Sequence, residues 1–100
     1  MKKITLAFNH DSLEAFNRIL QWEINDIGKG INEKMRATLL TEILIKVTAK
    51  LFIARDKNKI TLSAAQAFAI LASSFYQWKT ENYEDVIILD IITQIDKKLI

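Results

Sequence analysis

A chain of 100 residues with no proline and only two glycines has almost no means of reversing direction sharply. Sandwiches and barrels need a turn about every 8–12 residues, and those turns draw heavily on Gly and Pro. A chain this poor in turn residues must be built from a few long elements, and that favours helices. Half of the residues are hydrophobic, and Ile, Leu, Val and Phe together number 34. Such a composition lies far from the disordered range and is enough for one core, so residues 1–100 are expected to form one domain.

Two short segments break the helical rule. Lys3-Ile4-Thr5-Leu6-Ala7-Phe8 alternates, with Ile4, Leu6 and Phe8 on one face, and Lys59-Ile60-Thr61-Leu62 repeats that signal. After the first, Asp11 or Ser12 caps a helix with Leu13, Phe16, Ile19, Leu20, Ile24 and Ile27 at helical spacing. Gly28-Lys29-Gly30 ends it as a glycine C-cap. A second helix follows over about 32–55, roughly 36 Å long at ~1.5 Å per residue. Its core stripe is Leu40, Leu44, Val47 and Leu51, with Met35, Leu39 and Ile43 at the shoulder. Ser63 caps an Ala-rich third helix over about 64–79, and a fourth covers about 83–98. Glu84 and Asp85 open the fourth and Lys97 and Lys98 close it, as the helix dipole prefers. The run Val86-Ile87-Ile88-Leu89 also fits a buried strand, but length and end charges favour helix.

The expected fold is mainly α: a four-helix bundle-like domain with a minimal two-stranded β element, in the order β-α-α-β-α-α. The two strands pair with each other, since each alone is an unsatisfied edge. Lys-Ile-Thr-Leu recurs, with Ile60 in the place of Ile4, and the same offset carries Gln21-Trp22 onto Gln77-Trp78. Two readings stand, a pseudo-twofold internal repeat and a coincidence among abundant residues.

Composition narrows function. Without cysteine there are no disulfides, thiolate zinc sites or cysteine nucleophiles. A net charge of +2 is too small to indicate nucleic acid or anionic lipid by itself. No segment approaches the ~18 apolar residues of a membrane span. The start resembles a signal peptide, but Asn9-His10-Asp11 interrupts its apolar run. The expected setting is cytoplasmic, with no membrane, no cofactor and no small-molecule substrate.

Individual chemical candidates are weak. His10 beside Asp11 matches an oriented base, yet neighbours in sequence rarely form a dyad. Glu81, Glu84 and Asp85 are carboxylates of the kind that hard metals use, but they also suit a helix N-terminus. Gly28-Lys29-Gly30 matches neither phosphate-loop pattern. Phe75, Tyr76, Trp78 and Tyr83 form an aromatic group that suits core capping better than base stacking. The third helix begins Ala64-Ala65-Gln66-Ala67 and lacks the polar residues of a DNA-reading helix. No catalytic, cofactor-binding or metal-ligating set is assigned, and an enzyme is not expected.

Two surfaces on the long helix remain. Arg36, Lys46, Lys50 and Lys57 form a basic stripe that is able to contact phosphates, the basis of the alternative reading as a nucleic-acid-binding accessory protein. Glu33 and Glu42 interrupt its field, so nucleic acid is the less favoured partner. The side away from the core carries Thr38, Thr41, Ile45, Thr48 and Phe52, where an outward face is normally charged. The last helix adds apolar residues from Ile87 to Ile100. Excess apolar surface of this kind marks an interface, and the simplest partner is a second copy. The leading expectation is therefore a non-enzymatic homo-oligomeric interaction or regulatory module, a homodimer, with room for another protein partner.

Overall fold

In the computed structural model the described residues are 3–28, 30–53, 56–72 and 83–99. They form β1 (Ile4–Phe8), α1 (His10–Asp26), α2 (Ile31–Leu51), β2 (Asn58–Leu62), α3 (Ala64–Ala72) and α4 (Tyr83–Leu99). The protein is mainly helical, with one small antiparallel sheet. Residues 84–92 are helix, not strand.

Each strand runs into its helix through a reciprocal cap. At the first junction Asn9, not Asp11 or Ser12, is the N-cap: the Ser12 amide donates to Asn9 Oδ1 (2.7 Å) and the Asn9 amide to Ser12 Oγ (3.0 Å). At the second, Ser63 caps as its sequence suggests. The Gln66 amide donates to Ser63 Oγ (3.1 Å) and the Ser63 amide to Gln66 Oε1 (3.0 Å). Glycine does not close α1 through a left-handed turn, since no described glycine has positive φ and the C-cap Ile27 is extended.

The second helix is shorter than its periodicity suggests and ends at Leu51, where the Phe52 amide turns back to the Lys50 carbonyl. At ~1.5 Å per residue its 21 residues span about 31 Å. That fits within the 38 × 35 × 26 Å extents of the molecule. The end is set from outside the helix, because the chain must reach Asn58 in register with Phe8.

The strands pair as Ile4↔Leu62, Thr5↔Thr61, Leu6↔Ile60, Ala7↔Lys59 and Phe8↔Asn58. Their inward residues Ile4, Leu6, Phe8, Ile60 and Leu62 are buried, so the core is shared between sheet and helices. Phe8 stacks on Phe16 with ring centroids 5.1 Å apart. From α2 only Leu40, Ile43 and Val47 are fully buried. Ile43 thus belongs to the stripe, while Leu44 and Leu51 sit at its border and Met35 is exposed. From α4 the buried positions are Ile87, Ile91 and Ile95.

The ladder is centred on Leu6↔Ile60. Asn9 caps the helix after β1 and Ser63 the helix after β2. Ser12, Leu13, Ala15 and Phe16 are buried in α1, and Gln66, Ala67, Ala69 and Ile70 in α3.

Candidate functional site

The outer face of α2 carries Thr38, Thr41, Ile45, Thr48 and Phe52 together, all exposed or half-exposed. Ile45 is 64% and Phe52 87% accessible. The threonine hydroxyls are occupied. Thr38 donates to the Lys34 carbonyl (3.0 Å), Thr41 to the Ala37 carbonyl (2.7 Å), and Thr48 Oγ1 accepts from Asn17 Nδ2 (3.1 Å). Their hydroxyls are thus bonded to the helix itself or to α1. Ile31 and Met35 extend the apolar face toward the start of α2, where exposed Phe68 of α3 adjoins Met35 across an open groove.

The basic stripe does not stay together. Arg36 leaves it: its Nη1 lies 3.6 Å from Glu23 Oε1 and donates to the Ala72 carbonyl at 2.9 Å. Glu23 is buried on α1, so Arg36 ties α1, α2 and the end of α3. A guanidinium held this way is a strut between elements. Lys46 is also engaged, donating to the Thr61 carbonyl (2.9 Å) and to Gln66 Oε1 (3.3 Å). Gln66 Nε2 in turn donates to Glu42 Oε1 (3.1 Å), which closes a polar chain from α2 to the α3 cap.

Lys50 and Lys57 gather with a residue that sequence reasoning missed. Lys46, Lys50 and Lys59 line a groove of about 470 Å³ between the end of α2 and the outer side of β2, with Ala49, Ile53 and Ile60 as its apolar lining. An adjoining groove brings Lys57 to Lys50, Ile53 and Lys59. Among the described residues no carboxylate lines either groove. Alternation does put Lys59 on the outward face of its strand, but only the pairing of β2 places it beside the helix.

The other candidates resolve simply. His10 opens α1, and its Nε2 lies 2.8 Å from Glu14 Oε1, one helical turn on. The ring therefore turns to Glu14. Its buried Nδ1 has no hydrogen-bond partner among the described residues. Glu84 and Asp85 fall in the first turn of α4. Phe75, Tyr76, Trp78, Glu81 and Lys29 lie outside the described residues, as do the side chains of Tyr83, Glu84 and Asp85. Among the described residues no three His, Asp or Glu side chains gather as metal ligands, and no helix is long and apolar enough to cross a membrane.

No protein-family model, curated protein or solved structure gives a significant match to this chain.

Proposed function

We propose that this protein is a non-enzymatic interaction module that self-associates through the outer face of α2. The observation that carries the reading is the uncharged run Thr38, Thr41, Ile45, Thr48 and Phe52, facing outward with its hydroxyls already bonded. An isologous pairing suits it, since two antiparallel copies crossing at Ile45 set the Phe52 ring of each over Thr38 of the other. From Thr38 to Phe52 the face is about 21 Å long and roughly 10 Å wide, the diameter of a helix, which offers about 200 Å² per protomer. Stable complexes hide about 800 Å² on each side. The dimer is therefore a weak, concentration-dependent one.

Light scattering on a size-exclusion column, run over a range of concentrations, tests this. The mass should rise from that of an 11.5 kDa monomer toward twice that value. Ile45→Lys and Phe52→Glu should hold it at the monomer without loss of helicity. A parent protein that stays monomeric at the highest concentration refutes the reading.

The bundle-like arrangement is also read here as two β-α-α halves related by a pseudo-twofold axis through Leu6↔Ile60. Support comes from the symmetric ladder and from the caps and buried positions that coincide once Leu6 is set on Ile60. A fragment of residues 1–56 should then pair with itself through β1, and an unfolded monomeric fragment rejects the repeat.

A further inference from the structure

The two outer edges of the sheet are treated differently. Ala7 donates its amide to Gln94 Oε1 (3.1 Å), and its carbonyl accepts from Gln94 Nε2 (3.5 Å). The Thr5 carbonyl accepts from Lys98 Nζ. Thr5 and Ala7 therefore aim their main-chain groups away from β2, and α4 covers them. In an antiparallel ladder the residues opposite, Thr61 and Lys59, must aim theirs away from β1. On that side α2 supplies one bond, Lys46 to the Thr61 carbonyl. The buried positions of α2 and α4 correspond, Ile43 with Ile91 and Val47 with Ile95. The same correspondence sets Lys46 against Gln94 and Lys50 against Lys98. Lys98 closes the edge of β1, whereas Lys50 makes no such bond to Lys59. Among the described residues the Lys59 amide and carbonyl and the Thr61 amide have no partner outside the ladder.

This open edge forms one side of the groove lined by Lys46, Lys50, Lys59, Ile53 and Ile60. The Lys46 side chain lies against this edge at Thr61, and an incoming strand displaces it there. We propose that the outer edge of β2 accepts an extended acidic segment of another protein as a third strand. Its main chain pairs with Lys59 and the Thr61 amide, alternate apolar side chains lie on the exposed Ala49 and Ile53, and the intervening carboxylates face Lys50, Lys57 and Lys59. Main-chain pairing favours a peptide over a nucleic acid, whose backbone offers phosphate acceptors and no strand ladder. The site is separate from the outer face of α2, so failure of either proposal leaves the other standing.

The test uses the full chain and a fluorescein-labelled octapeptide alternating glutamate and valine, followed by anisotropy. We expect saturable binding, weakened at least tenfold by glutamine in place of glutamate. Lys50→Glu/Lys57→Glu, which leaves the strand sequence intact, should weaken it at least tenfold too. N-methylation of alternate peptide amides should abolish binding in one phase and spare it in the other. Amide exchange at Lys59 and Thr61 should slow in the complex, and that at Ala7 should not change. No saturation by about 1 mM overturns the proposal. So does binding that leaves the Lys59 and Thr61 amides unprotected while an oligothymidylate competes equally, the mark of a polyanion surface, and so does protection of those amides on self-association alone.

Discussion

Replacing Arg36 with methionine removes the guanidinium beside the Glu23 carboxylate while keeping most of the stem that lies along α2. Breaking a buried ion pair from one side costs about 3–5 kcal/mol, because the remaining charge stays in a poorly solvated place. Here the Glu23 side chain is 5% and the Arg36 side chain 21% accessible, at 3.6 Å. Partial exposure of the arginine and a further interaction of Glu23 bring the cost below that range, to about 2 kcal/mol. The lost bond to the Ala72 carbonyl adds roughly 1 kcal/mol, which the methionine stem partly offsets. A total near ~3 kcal/mol lowers the midpoint of thermal unfolding by roughly 12–24 °C for a domain of this size. Urea unfolding followed by far-UV circular dichroism measures it, and the slope with denaturant should not change. Glu23→Leu combined with Arg36→Met should recover about 2 kcal/mol relative to Arg36→Met alone, since the pair is then replaced and not broken. If Arg36→Met lies within about 0.5 kcal/mol of the parent, the strut is not a strut. Arg36 would then return to the basic surface from which its contacts remove it.

Phe16→Ala empties a fully buried site stacked on Phe8 and should cost about 3–5 kcal/mol in urea unfolding. Ser63→Ala removes the α3 cap and should cost about 1 kcal/mol, with Ser63→Gly closer to the parent. Gln94→Ala uncovers the Ala7 main chain, so hydrogen exchange at the Ala7 amide should accelerate toward the rate of the Lys59 amide.

Much of the fold was legible along the chain, because its causes are local. Turn poverty forces long elements. Alternation marks Ile4, Leu6 and Phe8, and helical spacing marks α1, α2 and α4. End charges decide that residues 84–92 are helix. Where the reading slipped, two local rules competed. Asn9, Asp11 and Ser12 all suit a cap, and only Ser12 as the third residue of the helix lets Asn9 close the reciprocal pair. The end of α2 and the centre of its stripe were also misplaced, since apolar residues surround that helix on more than one side.

The element types, their order and the uncharged run on the outer face of α2 follow from spacing within one segment. Tertiary structure decided which charges are free. Arg36 and Lys50 belong to one stripe by spacing. Arg36 meets a buried carboxylate from α1, while Lys50 meets other lysines across an open strand edge. Those partners lie far away in the chain, and whether a charge is neutralised, or an edge covered, depends on what folding brings within a few ångströms of it.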